Sequence, residues 1–363
     1  MNDDVDCTIW AETVKNFVAE KKAVVEPKKP APEPSPPPKE IRKQGEVWKF
    51  GQEWKIRIAE IAQVDDPDLF RKIMIDGSVR DLVSANSDMI EKIDQVQRSN
   101  PHFSNVISFF RRNLLASKNT KRPIRIPHIL LIGDPGIGKT HVLREIASAI
   151  GLPFSCLDAP GLTGAGVFSG TDKSWKNPRP GRIAEVLIKE KSASQILMID
   201  EIDKCYQYAA ETDTLAPLHA LLEPSTASKW RDECLSIELD ARYLCVVATA
   251  NSISNIMPSL LDRFIIFHVE KPAPKIAETI IHSIFNSMKI EFGDFFKNAD
   301  LPEDIILSFK NESPRTIRKR LISAMVSAAA DNRKKIILSD LDHFCSATES
   351  RSRRIGFFPD RDC

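Results

Sequence analysis

Gly133-Asp134-Pro135-Gly136-Ile137-Gly138-Lys139-Thr140 is the stretch that decides the fold. It fits the pattern G-x-x-x-x-G-K-[ST] of a phosphate-binding loop, the P-loop. The apolar run at 128–132 precedes it and predicts a buried strand. After Thr140, apolar residues at helical spacing predict a helix that ends at Gly151. A strand, a glycine loop and a helix in this order are what the motif requires.

The residue types in this stretch suit a bound phosphate group. Glycines let backbone N–H groups turn toward phosphate oxygens, and the N-terminus of the next helix adds positive potential. Lys139 is expected to reach the β- and γ-phosphates of a nucleotide, and Thr140 is expected to hold Mg²⁺. We therefore predict ATP and Mg²⁺ as cofactors and all eight residues as the binding loop. The competing interpretation is a chance glycine turn before a helix, which the full and correctly placed match disfavours.

Composition argues against several classes of protein. The formal net charge is +1 over 363 residues, so the overall charge indicates neither a nucleic-acid partner nor a membrane partner. The seven cysteines form no C-x-x-C pair, which argues against a metal site or a disulfide framework. The acidic start at 1–6 is unlike a targeting presequence, and no apolar run is long enough to span a bilayer. We expect a cytoplasmic protein without membrane contact.

Apolar runs alternate with helical patterns between residues 122 and 270. This alternation is typical of an α/β fold built around a parallel sheet. The runs predicted as strands are 128–132, 154–157, 196–199, 244–248 and 264–269. Pro272 and Pro274 then break the chain, and helical patterns follow. We predict a parallel sheet flanked by helices, followed by a small helical lid domain.

Changes in composition divide the chain into five parts. Residues 26–43 are rich in Pro, Lys and Glu, which favours an extended linker. Residues 46–121 are interpreted as helical, with a break at Asn100-Pro101. The predicted parts are a flexible Pro-rich tail at 1–43, a helical N-terminal region at 44–122, a nucleotide-binding α/β domain at 123–271, a helical lid domain at 272–347 and a tail at 348–363.

Two carboxylates, Asp200 and Glu201, follow the apolar run at 195–199. In a P-loop protein we expect this strand to lie beside the P-loop strand, with its end facing the phosphates. Asp200 is then predicted to bind Mg²⁺, directly or through water. Glu201 is predicted to polarise the attacking water as a general base. The alternative is an acidic cap of a helix N-terminus, which is the weaker interpretation beside a P-loop.

Three further polar residues are candidates for contact with a nucleotide. Asn251 follows another apolar strand and is predicted to orient the water or touch the γ-phosphate; a turn-forming asparagine is the alternative. Arg263 precedes a strand and suits a developing phosphoryl charge on a neighbour's nucleotide, whereas a surface pair with Asp262 is the alternative. Arg315 lies in the first turn of a helix that begins at Ser313, where a cation is disfavoured, so we expect a partner across the domain cleft. A solvated basic face is the other interpretation of Arg315.

Together these residues resemble the AAA+ ATPases, and among them the ATPase module of the Lon protease family. The resemblance covers about residues 124–344. The segments that carry it are 133–140, 197–204, 220–224, 248–252, 259–264 and 313–321. It implies that Asn251 is sensor 1, Arg263 the arginine finger and Arg315 sensor 2. It also implies a homo-oligomeric ring, with Trp175 in the place of the pore-loop aromatic residue.

This chain departs from the Lon pattern at two places. It ends at Cys363, where a Lon protease domain would begin, so we expect no proteolytic activity of its own. Lys176 replaces an apolar residue beside the pore-loop aromatic, which weakens the expectation of a grip on polypeptide. The resemblance implies an ATP hydrolase that remodels or unfolds a protein substrate. The alternatives are the ATPase subunit of a two-component protease and a nucleotide-dependent loader on DNA, the latter supported by Lys173, Lys176 and Arg179.

Overall fold

We describe the fold from a computed structural model. It describes residues 47–50, 53–57, 78–162, 164–172, 174–205, 214–310 and 312–342. The tails predicted at 1–43 and 348–363 lie outside these residues, and so does Lys173. Across the part of the chain that is described, no helix is both long enough and apolar enough to cross a membrane.

The secondary structure alternates between strands and helices through the middle of the chain. The strands are β1 Val47–Phe50, β2 Glu53–Arg57, β3 Val79–Leu82, β4 Ile129–Ile132, β5 Phe154–Asp158, β6 Gln195–Asp200, β7 Trp230–Asp232, β8 Ile237–Leu239, β9 Leu244–Ala250 and β10 Ile265–His268. The helices are α1 Ser87–Ser99, α2 Ser104–Thr120, α3 Lys139–Ile150, α4 Gly166–Ser169, α5 Arg182–Lys189, α6 Ala216–Leu221, α7 Pro224–Ala227, α8 Pro258–Leu261, α9 Pro274–Glu291, α10 Glu303–Ser308, α11 Pro314–Ala330 and α12 Ser339–Asp342. Short 3₁₀ turns lie at Pro101–Phe103, Ala159–Gly161, Ile202–Lys204 and Gly293–Phe296.

The central sheet has the order β10-β4-β9-β6-β5, and all of its neighbouring strands are parallel. Each of its strands coincides with one of the predicted apolar runs, so the predicted α/β fold with a parallel sheet is confirmed. The runs are almost continuously apolar because both faces of a parallel sheet are covered. β4 and β9, for example, are buried at every position.

Two apolar cores lie on the two faces of this sheet. Alternate residues of β4 point to opposite faces: Ile129 and Leu131 join the core that contains α1, α2 and α3. Leu130 and Ile132 join the core that contains α5 and the β7–β8 hairpin. The period of two along the strand therefore builds a three-layer domain. A third core holds the helices from α9 to α12 together, as predicted for a helical lid.

The N-terminal region is only partly helical, so the prediction of helix throughout 46–121 is wrong. β1, β2 and β3 form an antiparallel sheet, in which Phe50 pairs with Glu53 across a two-residue connection. Aromatic and β-branched residues recur there at every second position, at Trp48, Phe50, Trp54 and Ile56. That period favours a strand, and a glycine between the two runs favours a hairpin. Helices begin only at α1.

A buried arginine joins this small sheet to the parallel-sheet domain. Arg80 of β3 is 2% exposed. Its Nε donates to the carbonyl oxygen of Leu187 at 3.1 Å, and another guanidinium nitrogen donates to that of Ile188 at 3.0 Å. Both carbonyls lie in the last turn of α5, where the helix dipole favours a cation. The backbone N–H of Asp81 also donates to the carbonyl of Lys191 at 2.9 Å.

Candidate active site

The loop between β4 and α3 has the backbone that its glycines predict. Gly136 and Gly138 have φ angles of 80° and 104°, in the left-handed region that glycine adopts without strain. A Cβ atom on Gly133 would lie 2.5 Å from the carbonyl oxygen of Val269, so a side chain does not fit there. The helix then begins at Lys139 and ends at Gly151, which has a φ of 64°. The predicted strand, glycine loop and helix are therefore present in the predicted order.

The side chain of Lys139 folds back onto the backbone of this loop. Its side chain is 8% exposed. Its Nζ donates to the carbonyl oxygens of Gly133 at 2.6 Å and Asp134 at 3.3 Å, and to Oδ1 of Asn251 at 3.1 Å. Burial lowers the pKa of Lys139, and the nearby carboxylates, Asp200 foremost, act in the opposite direction. The structure therefore brings together Lys139 and Asn251, which are 112 residues apart in the sequence.

Asp200 faces the first turn of α3. The hydroxyl of Thr140 donates to Oδ2 of Asp200 at 3.0 Å. The hydroxyl of Thr249 donates to Oδ1 of Asp200, so both carboxylate oxygens are held. Thr249 also accepts a hydrogen bond from the backbone N–H of Glu201 at 3.0 Å. Thr140 and Asp200, predicted as a metal pair, are thus adjacent, and oxygen ligands of this kind suit Mg²⁺.

We expected the strand that carries Asp200 to lie beside the P-loop strand, and this expectation is wrong. β6 pairs with β5 and β9, and β9 lies between β6 and β4. The end of β9 fills the gap with Thr249, which contacts Asp200, and with Asn251, which contacts Lys139. The sequence did not reveal this order because every strand of the sheet is apolar, and apolarity carries no information about neighbours.

Glu201 lies at a strained point of the backbone. Its φ angle is 55°, which is uncommon for a residue other than glycine. Glu201 stands at the N-cap position of the short turn at Ile202–Lys204, but its side chain makes no capping hydrogen bond to that turn, so the interpretation as an acidic cap finds no support in the side-chain contacts. Instead its Oε1 accepts a hydrogen bond from Nζ of Lys204 at 2.6 Å. Both side chains remain partly exposed, so the carboxylate of Glu201 is accessible at the edge of the site.

Asp203 is a member of the site to which the sequence gave no role. It is 9% exposed, and its Oδ2 accepts hydrogen bonds from the backbone N–H groups of Asn251 at 3.1 Å and Ser252 at 3.2 Å. The carboxylate therefore fixes the turn that presents Asn251 to Lys139. The signal in the sequence was a third carboxylate shortly after Asp200 and Glu201.

Arg315 of the lid lies against the P-loop. Its backbone N–H donates to the carbonyl oxygen of Gly136 at 3.3 Å. A Cβ atom on Gly136 would come within 3.2 Å of Cβ of Arg315 and 3.3 Å of Oγ of Ser313. Ser313 caps α11 as predicted, accepting from the N–H of Thr316. The structure thus brings the exposed Arg315 to the loop, across the domain cleft.

Arg263 has different surroundings from the other candidates. Its guanidinium donates to the carbonyl oxygen of Ser259. Among the described residues it makes no ion pair with Asp262, so the interpretation as an Asp262–Arg263 surface pair finds no support. Its hydrogen bonds do not join it to the cluster around Lys139 and Asp200 of its own chain.

Two residues from the N-terminal region also touch the P-loop, and the sequence gave no reason to expect them. Nε2 of His102 donates to the carbonyl oxygen of Ile137 at 3.1 Å. Burial lowers the pKa of His102, so the neutral ring is favoured at neutral pH. Phe103 is 1% exposed, and a Cβ atom on Gly138 would lie 3.7 Å from its ring. The 3₁₀ turn at Pro101–Phe103 therefore packs against the P-loop at Ile137 and Gly138.

Comparison with known proteins agrees with this architecture. Residues 129–271 match the sequence model of the family described as "ATPase family associated with various cellular activities (AAA)". The matching segment begins with β4 and ends just after β10, so it coincides with the parallel sheet.

Several curated Lon proteases are similar over a longer stretch. The mitochondrial Lon protease homolog of Saccharomyces cerevisiae is 28% identical over 221 residues, which is 58% of this chain and 19% of that protein. The Lon protease of Rickettsia typhi is 30% identical over 246 residues, which is 64% of this chain and 31% of that protein. The chain thus spans from about a fifth to a third of these relatives. A solved structure of the Thermotoga maritima RuvB Holliday junction branch migration motor overlaps with a TM-score of 0.46 and 18% identity, over 67% of this chain and 68% of that one.

Residues 129–271 thus combine a P-loop, a five-stranded parallel sheet and a match to the AAA family model. More particularly, the chain contains an AAA ATPase domain that is similar to the ATPase module of Lon proteases, as its motifs predicted.

Thr249 offers a test of the site geometry. Thr249→Val keeps the shape of the side chain, which is fully buried, but removes the hydrogen bonds to Asp200 and to the N–H of Glu201. We expect the free energy of unfolding to fall by about 1–3 kcal/mol, because a charged acceptor and a buried donor lose their partner. ATP turnover is expected to fall as well, since Asp200 is no longer fixed. Thr249→Ser keeps the hydroxyl and should keep wild-type turnover in the ATPase assay, although losing a buried methyl group should lower the free energy of unfolding by about 1 kcal/mol. Wild-type stability and turnover in the valine variant would contradict this assignment.

Proposed function

We propose that the protein binds and hydrolyses MgATP, works as a ring of identical subunits, and uses hydrolysis to remodel a protein substrate. The observation that carries the first part is the convergence of three segments on one edge of the sheet. Lys139 and Thr140 come from the P-loop, Asp200 from the end of β6, and Asn251 from the end of β9. The lid adds Arg315 at the opposite side of the loop.

The residues present fit a magnesium-bound nucleotide. Gly136 and Gly138 have left-handed φ angles of 80° and 104°, and a backbone of this kind can turn successive N–H groups toward a bound anion. Thr140 and Asp200 present a hydroxyl and a carboxylate to one point, which is a donor set that Mg²⁺ accepts. The metal would offset phosphate charge. Lys139, held near neutral carbonyls here, would exchange those partners for phosphate oxygens of higher charge.

The remaining residues have roles that follow from their positions. Glu201, whose carboxylate is partly exposed beside Asp200, is proposed to orient and deprotonate the attacking water. Asn251 is proposed to hold the γ-phosphate side of the site, and Asp203 to fix its backbone. Arg315 is proposed to report nucleotide binding to the lid, because its backbone already contacts Gly136.

The proposal of a protein substrate rests on the loop at 171–180. Trp175 at its tip is 69% exposed, which is unusual for an aromatic residue of that size. Exposed tryptophan rings supply large contact areas at low entropic cost and often dominate the energy of an interface. Lys176 and Arg179 beside it are charged, so the loop would also meet acidic or phosphate groups. A DNA-loading function predicts binding that weakens steeply with salt, whereas a grip through Trp175 does not.

A permanently unfolded protein such as reduced, carboxymethylated lactalbumin is a suitable probe of this function. We expect it to accelerate ATP hydrolysis by the wild-type protein. In Trp175→Ala the concentration required for half-maximal acceleration should rise by about tenfold or more, because a central aromatic contact is removed. Trp175→Phe keeps an aromatic ring and should retain most of the acceleration. Acceleration by duplex DNA, abolished by salt and indifferent to Trp175, would instead support the loader.

Ring assembly is proposed from the position of Arg263. Its guanidinium makes no hydrogen bond to the cluster around Lys139 in its own chain, although an arginine is suited to a developing phosphoryl charge. An arginine that lies away from its own site can serve the site of a neighbouring subunit, as arginine fingers do. The similarity to the ATPase module of Lon proteases supports the same arrangement.

The Arg263→Ala variant tests whether the site is shared between subunits. It should still bind ATP, because its own P-loop is intact, but turnover should fall by about 10³-fold. Mixed with wild-type subunits, it should reduce their activity more than simple dilution does, since each arginine serves the adjacent chain. Lys118→Ala, on the exposed surface of α2, is a control that should leave the mixture unchanged. A turnover rate that is independent of protein concentration, with plain dilution on mixing, would contradict a shared site.

A further inference from the structure

The loop that carries Trp175 is closed at its base by hydrogen bonds between Thr171 and Arg179, a pair that we call the loop neck. The backbone N–H of Thr171 donates to the carbonyl oxygen of Arg179 at 3.0 Å, and the N–H of Arg179 donates to Oγ1 of Thr171 at 2.8 Å. Below the neck the two chain ends are in contact, since a Cβ atom on Gly181 would lie 2.5 Å from the nitrogen of Gly170. The two ends of the loop are therefore held together, and this contact limits the positions that Trp175 can take.

One buried carboxylate joins this base to the β7–β8 hairpin. Asp232 at the end of β7 is 0% exposed. Its Oδ2 accepts a hydrogen bond from the N–H of Gly181 at 2.8 Å, and its Oδ1 accepts one from the N–H of Leu235 at 2.8 Å. A Cβ atom on Gly170 would lie 2.9 Å from Oδ1, so the carboxylate also needs the glycine there. The N–H of Glu233 adds a bond of 2.8 Å to the carbonyl oxygen of Ser169.

A role confined to the hairpin explains only half of these contacts. The bond to Leu235 lies within the turn between β7 and β8, and short polar side chains often make such local bonds. The bond to Gly181 spans 51 residues and reaches the far side of the loop neck. Burial raises the pKa of Asp232 to about 6, because a buried carboxylate is harder to ionise. This value is still below neutral pH, so the side chain is charged there although its surroundings disfavour the charge. A carboxylate accepts on both oxygens, whereas an asparagine would turn an NH₂ group toward one of the two N–H donors.

We propose that Asp232 is the positioning residue of the Trp175 loop, and that its contact with Gly181 fixes the loop in the conformation that engages polypeptide. This inference rests on the proposed function of the loop. Asp232 does not contact the substrate itself. By holding the loop before binding, it reduces the conformational entropy that the Trp175 loop loses when substrate binds. A loop that is fixed before binding gives higher affinity with little effect on the chemical step. The hairpin leads directly into β9, whose other end contacts Asp200 and Lys139.

The chain offers matched controls for a change at Asp232. Asp240, after β8, is also a buried carboxylate, at 1% exposure, but it pairs with Arg242 at 2.6 Å, and its side chain is not hydrogen-bonded to the described residues of the loop neck. Glu233, next to Asp232, is exposed, and it contacts the loop through its backbone only. Asp240→Asn therefore reports general damage to the hairpin, and Glu233→Gln reports loss of a nearby charge.

The test compares Asp232→Asn with these controls in the whole 363-residue chain. Hydrogen exchange of the peptide 169–181 should become about tenfold faster or more in Asp232→Asn, because one of the two N–H donors, Gly181 or Leu235, then faces an NH₂ group and the side chain no longer fits between them. The concentration of carboxymethylated lactalbumin for half-maximal acceleration of the ATPase should rise about tenfold, with a much smaller change in the maximal rate. Both controls should leave the two quantities near their wild-type values. If Asp232→Asn does not fold, Thr171→Val removes the hydroxyl that accepts from the N–H of Arg179, loosens the same loop neck from the other side and should give the same pattern.

The outcomes separate this inference from the proposed function. If the wild type responds to the unfolded protein through Trp175 but Asp232→Asn binds it equally well, the positioning role is wrong and the proposed function stands. If loop exchange accelerates without any change in affinity, the positioning role is also wrong. If the maximal rate falls as much as the affinity, Asp232 acts on the whole fold and the inference fails. If the unfolded protein has no effect on the wild type, the proposed function itself fails.

Discussion

The proposed nucleotide site depends on the balance of charge around one buried ammonium group. Lys139 is largely removed from water; this burial lowers the pKa of its ammonium group, while the surrounding carboxylates act to raise that pKa. Asp200 contributes most, and Asp203, Glu201 and Asp134 act in the same direction. These groups come from the loop after β4 and from the end of β6, so the carboxyl ends of the sheet must meet for the balance to exist. The arrangement is also the one that an incoming phosphate needs, because the lysine is already oriented by weaker, neutral partners.

β9 connects the proposed nucleotide site with the base of the Trp175 loop. It lies between β4 and β6, is buried along its whole length, and ends with Thr249 and Asn251 on the nucleotide side. At its other end it continues from the β7–β8 hairpin, whose Asp232 is bonded to the base of the Trp175 loop. A rigid strand that is tied to both places offers a physical route for coupling, and coupling itself has to be measured by mutation at both ends.

The sequence predicted those parts of the molecule whose signals are local. The P-loop, the strands of the parallel sheet, the helix end at Gly151 and the cap at Ser313 each depend on a few neighbouring residues, and all are present. Strand order was not predictable in the same way, so the position of β9 and the role of Thr249 were missed. The N-terminal strands differ from the helices predicted there because their apolar residues recur with a period of two, which favours a strand and not a helix. His102, Asp203 and Asp232 act through backbone groups that lie distant in sequence or carry no sequence signal of their own.

The central claim is that Lys139 holds a nucleotide in the loop between β4 and α3. Calorimetric titration with the magnesium complex of a non-hydrolysable ATP analogue measures this directly in the wild type, in Lys139→Ala and in the surface control Lys118→Ala. Removing a charge-assisted contact of roughly 1.5–3 kcal/mol should weaken binding by about 10-fold to 150-fold in Lys139→Ala. The control should bind as the wild type does. Equal affinity in all three proteins, with Lys139→Ala correctly folded, would contradict the assignment of the site.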